Sequence, residues 1–258
     1  MVNKKLMVLV VAYNAEATIK ALLDRMPKEV WKRASEVVIA DDASKDFTSI
    51  VANEYKLRKK IRNLTIIKHD INKGYGGNQK WGYDYAIKKN YDIVVMIHGD
   101  VQYPPEHIMS LVKPLEEDRA DFVFGSRMSG HPLKGGMPIY KYLGNIFLTT
   151  VENIILGTRL TEFHSGFRAY SIKALKQIPF NLNSSDFHFD SEIIVQLAIR
   201  NKNRIKEVTI PTYYGDEKSN VNVISYGLNV LKVMIEYILN KTGIRSIRKF
   251  YIKNDKNR

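Results

Sequence analysis

Apolar residues enter this chain in short unbroken runs, each closed by polar residues and followed by a segment of helical periodicity. Residues 6–12 (LMVLVVA), 37–40 (VVIA), 64–68 (LTIIK), 93–97 (IVVMI) and 121–125 (DFVFG) have strand length and do not alternate. That is the pattern of strands covered by helices on both faces. Between them lie helical patterns: Ala17, Ile19, Leu22, Leu23 and Met26, stopped near Pro27; Trp81, Tyr85 and Ile87; and Ile108, Met109, Leu111, Val112 and Leu115 within residues 105–117. Residues 139–156 read as a partly amphipathic helix. Another opens at residues 187–192 and runs through Ile193, Ile194, Leu197 and Ile199, and a third covers residues 223–239 with Ile224, Leu228, Leu231, Ile235 and Ile238. Residues 204–211 form an edge-like strand ended by Pro211. Strand and helix alternating in this way predict an α/β fold with a mostly parallel central sheet between layers of helices.

The chemistry-bearing residues follow the strands. The stretch YDIVVMIHGDVQYPPE (91–106) carries a buried strand into His98-Gly99-Asp100, then Gln102 and a proline pair that ends extended structure and opens a helix. In open α/β sheets the carboxyl ends of the strands are where ligands bind. Asp100 and Gln102 offer two hard oxygen donors suited to a divalent cation that holds a diphosphate; a Gly-Asp turn former is the alternative reading. The second strand ends in Asp41-Asp42, with Asp46 or Ser44 placed to cap the next helix. After the third comes NKGYGGNQK (72–80), whose glycines allow close approach to a ligand. Residues 129–138, with three glycines and two prolines, have the length of a flap over a site. FHSGFRAY (163–170) is denser in polar groups than a core segment. Asp190 lies at a helix start, as a cap or as a functional carboxylate.

Composition narrows the partners. A net charge of +13 in 258 residues, with a pI near 9.6, favours anionic ligands: nucleotides, phospholipid surfaces, polyprenyl phosphates or nucleic acid. The absence of cysteine excludes disulfides and thiolate chemistry. AYNAEAT after the first strand contains no glycine, so neither a nicotinamide-type dinucleotide fingerprint nor a P-loop is present. No secretory signal is evident and no apolar stretch reaches the roughly 20 residues of a membrane span. A soluble or peripheral protein is expected, and the basic tail with its interleaved Ile, Phe and Tyr suits either an anionic membrane surface or plain solvation.

Taken in order, VVAYNAEATI, VIADDASKD, NKGYGGNQKWGYDYAI, VVMIHGDVQYPPEHI, FVFGSRM and FHSGFRAY resemble the family-2 glycosyltransferases of the GT-A fold. The nearest branch resembles the dolichol- or polyprenyl-phosphate sugar transferases. The resemblance implies that Ala12, Tyr13, Asn14 and Glu16 line the nucleoside, that Asp41 and Asp42 contact base or ribose, and that Gly74, Gly77 and Lys80 lie in a loop near the nucleotide. Asp100 matches the last carboxylate of the D-x-D metal motif and Gln102 a further ligand to Mg²⁺ or Mn²⁺. His98 departs from the motif at its first aspartate. As a metal-site residue it either weakens the binding, shifts the preference toward Mn²⁺, which accepts imidazole more readily than Mg²⁺, or leaves Asp100 and Gln102 as the only protein ligands, and the last is expected. Arg127, His164, Ser165, Gly166 and Arg168 match the donor-sugar and acceptor side, and Asp190 and Glu192 the acceptor region.

The implied reaction is an inverting displacement from a UDP- or GDP-linked sugar to a lipid-phosphate or glycan acceptor, with Arg127 and Arg168 beside the departing diphosphate. A hydroxyl acceptor needs a base, for which Asp190 and then Asp216 are candidates. A catalytic part over residues 1–220 is expected, with a C-terminal helix and basic tail over 221–258, in the cytoplasm or peripheral on the cytoplasmic membrane face. A sugar-phosphate nucleotidyltransferase is a rival. So is a nucleic-acid-binding protein, although carboxylates gathered at strand ends would repel nucleic acid.

Overall fold

The computed structural model describes residues 4–212 and 222–252. In chain order it contains β1 (Leu6–Ala12), α1 (Glu16–Arg25), α2 (Lys28–Arg33), β2 (Glu36–Asp41), α3 (Thr48–Lys59), β3 (Leu64–Lys68), α4 (Tyr75–Lys88) and β4 (Ile93–His98). There follow α5 (Ile108–Glu116), β5 (Phe122–Ser126), α6 (Ile139–Leu156), β6 (Arg168–Ser171), α7 (Ile172–Leu175), α8 (Phe189–Asn201), β7 (Ile205–Thr209) and α9 (Val223–Lys241). The sheet order is β3-β2-β1-β4-β6-β5-β7. All pairings are parallel except those of β6, which runs antiparallel to both β4 and β5.

The unbroken apolar runs have the cause expected of them. Leu6, Val8 and Val10 of β1 pack with Ile19, Leu22 and Leu23 of α1 and with Ile108 and Leu111 of α5 on one face. Met7, Leu9 and Val11 pack with Tyr83 of α4 and Ile193 and Ile194 of α8 on the other. A strand wedged between two helical layers has no solvent face on which to place polar residues.

Three local expectations are corrected. The segment 163–170 is core: Phe163, Ser165, Phe167, Arg168 and Tyr170 are all fully buried, and its second half is strand β6. Its polar side chains are paired inside the fold, which a reading of polarity alone cannot anticipate. The glycine segment is shorter as a loop than it reads, because α4 begins at Tyr75 and takes up Gly76, Gly77 and Lys80. Those glycines admit α8: a Cβ on Gly76 would lie 2.7 Å from the Ser184 carbonyl oxygen and 2.7 Å from Phe189 Cβ. Lastly, Asp190 is not the cap of α8, where His188 stands.

The close approach of α4 and α8 carries a prediction. Gly76→Ala forces the two helices apart against a backbone carbonyl that cannot yield, and overpacking of this kind costs about 1–3 kcal/mol. A chemical denaturation midpoint that falls at unchanged slope is the expected result.

The strand order reverses between β1 and β4, since β2 and β3 lie on one side of β1 and β4 on the other. Such a switch point opens a crevice at the carboxyl ends of the strands. Among the described residues no helix is long and apolar enough to cross a membrane.

Candidate active site

The loops leaving β1, β2 and β4 are stitched into one rim. Asp42 N donates to Ala12 O at 2.8 Å, Gly99 N to Val11 O at 2.9 Å, and Thr18 Oγ1 to Gly99 O at 2.8 Å. Asn14 and Glu16 are part of this stitching. Lys45 N donates to Asn14 Oδ1 at 2.9 Å and Phe47 N to Glu16 Oε2 at 3.1 Å, while Asp46 accepts from the backbone N–H of Glu16 and of Thr48 at the start of α3. Three non-glycine residues of the rim have left-handed backbone: Asn14 (φ 49°), Ala43 (φ 60°) and Val101 (φ 64°). For a β-branched residue this conformation is a true outlier, and strain of this kind gathers at functional sites. At Val101 it turns the chain between Asp100 and Gln102, with Gln102 N donating to Asp100 Oδ1 at 3.1 Å.

Of the acidic pair after β2, Asp41 is fully buried and accepts from Ser44 N and Ser49 Oγ, so it holds the loop. Asp42 accepts from Lys73 N at 2.7 Å and ties the β3–α4 loop to the rim. Burial pushes its carboxyl above the ordinary carboxylate range. Tyr13 is 44% exposed beside them. Gly74, at φ 76°, ends the loop where a Cβ would come within 2.6 Å of the Ser185 carbonyl oxygen. Lys80 is committed to the segment before α8, donating to Asn183 O at 2.9 Å and Ser185 Oγ at 3.2 Å.

A chain of polar contacts then runs from the rim into the core. Asp100, with its side chain 43% exposed, has Oδ2 3.9 Å from His98 Nδ1. His98 Nε2 is 3.0 Å from Tyr75 Oη, and Tyr75 Oη donates to Asp190 Oδ2 at 2.8 Å. Asp190 also accepts from Gln79 Nε2 at 3.2 Å and faces Arg168 Nη2 at 3.4 Å. The Arg168 guanidinium, wholly buried, donates besides to the carbonyls of Ser165, Asp190 and Phe163. Burial lowers the affinity of His98 for a second proton despite its two carboxylate neighbours. Asp190 and Arg168 therefore sit behind the rim.

The remaining predicted residues are placed as follows. Arg127 binds Glu162 through both its backbone N–H and its guanidinium, donates to His164 O at 3.1 Å, and lies 5.7 Å from the Tyr103 ring centroid. Burial pushes the Glu162 carboxyl up, but the charge and hydrogen bonds of Arg127 outweigh it and leave it below the usual range. His164 is almost closed off between Tyr226 Oη, 2.9 Å from Nδ1, and Glu152 Oε2, 3.2 Å from Nε2. Glu192 accepts from Ser184 N and Lys249 Nζ and is structural. Asp216 lies outside the described residues.

Sequence reasoning passed over Tyr75, Gln79, Tyr103 and Glu162. Tyr75 was visible as the lone aromatic among the glycines, and Glu162 as the acid just before a polar motif. Their significance comes only from the residues that the fold brings against them.

Among the described residues no three His, Asp or Glu side chains could by themselves hold a metal ion. Asp100 Oδ2 and His98 Nδ1, 3.9 Å apart with Gln102 following in the same turn, nevertheless fit a divalent ion that takes its remaining oxygens from a substrate diphosphate, the usual arrangement for Mg²⁺ and Mn²⁺ at phosphate sites.

Residues 7–179 match the model of glycosyl transferase family 2. An uncharacterised protein of Methanocaldococcus jannaschii is 31% identical over 244 residues, 93% of this chain and 94% of that protein. The UDP-N-acetylglucosamine–dolichyl-phosphate N-acetylglucosaminyltransferase of Methanococcus voltae is 29% identical over 262 residues, 94% of this chain and 98% of that enzyme. Among solved structures, glucosyl-3-phosphoglycerate synthase of Mycobacterium tuberculosis with bound UDP superposes with a TM-score of 0.69 at 17% identity, covering 91% of this chain and 80% of that one. The same enzyme with Mn²⁺, UDP-glucose and phosphoglyceric acid gives 0.67.

Proposed function

The chain belongs to glycosyltransferase family 2, and from that premise we propose that it moves a sugar, with inversion, from a UDP-linked donor to the phosphate of a polyprenyl lipid. The nucleoside lies along Tyr13, Asn14 and Asp42, and the diphosphate lies over Asp100. In the Methanococcus relative the name itself gives a UDP-linked donor and a dolichyl-phosphate acceptor, which supports this reading.

The observation that carries the acceptor assignment is the state of Asp190. A hydroxyl acceptor needs a general base within hydrogen-bond reach. Among the described residues the candidate base is Asp190, and both its oxygens are already taken, by Tyr75, Gln79 and Arg168. A phosphate acceptor is anionic and needs no base. One of its oxygen lone pairs forms the bond to C1 from the face opposite the diphosphate, the C1–O bond breaks, and its electron pair leaves on the diphosphate. No proton changes hands. A divalent ion, when bound, offsets the charge that builds on the departing oxygen, and Asp100 and Gln102 would hold it.

A lipid acceptor calls for a surface that meets the bilayer, and α6 and α9 supply one by being inverted. The inward face of α6 carries Asn145, Thr149 and Glu152, all buried, while Ile139, Leu143, Phe147 and Ile154 are exposed. Ile224, Leu228 and Ile235 of α9, which packs beside α6, are exposed as well. Within the two helices the only carboxylates are Glu152, which is buried, and Glu236, paired with Lys249 at 2.6 Å. An apolar face without free acid on a chain of charge +13 suits the anionic cytoplasmic leaflet, whereas a second copy of so basic a chain would be repelled. Residues 1–220 then form the catalytic part, and residues 221–258 help to seat it peripherally on the membrane.

Purified protein given UDP- and GDP-sugars with vesicles holding either polyprenyl phosphate or the free polyprenol tests the acceptor. Sugar should appear on the phosphate alone; comparable transfer to the alcohol would sink the assignment. Separately, Leu143→Glu/Phe147→Glu/Leu228→Glu should reduce flotation with phosphatidylglycerol vesicles at least about tenfold, since three exposed apolar side chains that would enter the bilayer are lost. Thermal unfolding should be unchanged. A wild type that ignores the vesicles and forms a dimer that the variant splits would make a second copy the occupant.

A further inference from the structure

The direction of the hydrogen bonds behind the rim fixes the tautomer of His98. Asp190 is a carboxylate held against a guanidinium and can only accept, so the single hydroxyl proton of Tyr75 goes to it, at 2.8 Å. The phenol oxygen that faces His98 Nε2 at 3.0 Å is then an acceptor, and Nε2 carries the ring proton. Nδ1 is left with its lone pair. That nitrogen has no other hydrogen bond among the described residues and stands 3.9 Å from Asp100 Oδ2.

We propose that His98 Nδ1 is a direct ligand of the divalent ion beside Asp100, and that Tyr75 and Asp190 are positioning residues that hold the imidazole in the ligating tautomer. The proposal deepens the glycosyltransferase reading and rests on it. Donors about 2.1 Å from one ion lie between about 3.0 and about 4.2 Å apart, a range that includes the observed separation. A metal-bound histidine usually passes its other N–H to a carboxylate or carbonyl. Here the carboxylate is reached through one phenol; Arg168 faces the same oxygen, Oδ2, and Gln79 holds the other. Gly166 marks how tightly this relay is enclosed. A Cβ there would come within 2.5 Å of His98 Nε2 and 3.1 Å of Tyr75 Oη, so only glycine leaves room for their hydrogen bond. Gly166 N in turn donates to Tyr103 Oη at 2.7 Å, and the Tyr103 ring stands edge-on to His98.

The substitution of imidazole for carboxylate at this position also changes which ion is held. It removes one negative charge from the ligand set and adds a donor that Mn²⁺ accepts more readily than Mg²⁺. The preference for Mn²⁺ is therefore expected to be built into the protein rather than left to the diphosphate.

Electron spin echo spectroscopy of Mn²⁺ bound together with UDP reads the ligand directly. The wild type should show coupling to a directly bound imidazole nitrogen, and His98→Gln should lose it while still binding Mn²⁺ and UDP. Tyr75→Phe should weaken Mn²⁺ binding about 10- to 100-fold, as loss of a partner behind a ligand does. His98→Asp should shift the Mn²⁺ to Mg²⁺ affinity ratio toward Mg²⁺. UDP-dependent Mn²⁺ binding with no nitrogen coupling, or with Tyr75→Phe equal to wild type, overturns the role of His98 and leaves the family reading standing. No UDP-dependent Mn²⁺ binding at all overturns both.

Discussion

Asp100→Ala should lower sugar transfer by about 10²- to 10³-fold or more, the scale of losing one group that stabilises charge in a transition state. It should do so without loosening the protein. The side chain is 43% exposed and its one hydrogen bond among the described residues is from Gln102 N two residues on, so stability should change by less than about 0.5 kcal/mol. Initial rates with the preferred donor, set beside thermal unfolding of the same samples, separate the two effects. A variant with wild-type turnover would remove Asp100 from the chemistry. One that fails to fold would make it a structural residue.

Arg168→Met should have the opposite profile, with stability bearing the main loss. The guanidinium is fully buried, faces Asp190 at 3.4 Å and satisfies three backbone carbonyls. Removing one partner leaves a buried charge uncompensated, at a cost of about 3–5 kcal/mol. For a chain of this size that is a fall in melting temperature of about 6–20 °C. Arg168→Met/Asp190→Leu should recover part of the loss, because the isolated carboxylate goes too. A single variant as stable as wild type would mean that Asp190 is paired or neutralised by some other group. Transfer by the refolded single variant is expected to fall as well, since Tyr75 and His98 are aligned through Asp190.

Much of the architecture was legible because the central strands β1 and β4 are buried on both faces and so read as uninterrupted apolar runs, whereas β3, at the sheet edge, is only half-buried and carries Thr65 and Lys68. Strand β6 escaped because four residues with Arg168 at their head do not look like a strand; the arginine is tolerated there because the Asp190 carboxylate arrives from α8 and three backbone carbonyls accept from the guanidinium. Short α2, between Pro27 and β2, carries one buried residue, Val30, too little for a periodic signal. At the site, the carboxyl ends of β2 and β4 were found from Asp41, Asp42 and Asp100 on the logic of the sheet alone. Which partners each carboxylate takes was not. Asp41 and Asp42 are adjacent in sequence and alike in type, yet one is sealed by Ser44 and Ser49 and the other faces the β3–α4 loop. Nor does any residue preference announce left-handed backbone at Ala43 or Val101, since both are types that avoid it.

The central claim is that one rim of the sheet takes a nucleoside diphosphate with a divalent ion. Amide hydrogen exchange, measured with and without UDP and Mn²⁺, tests it at the level of single segments. Residues 12–16, 41–46, 72–77 and 98–104 should gain protection together when both are added, and lose it when the ion is chelated. Protection that is absent from those four segments, or that appears on α9 and the basic residues beyond it, would contradict the account.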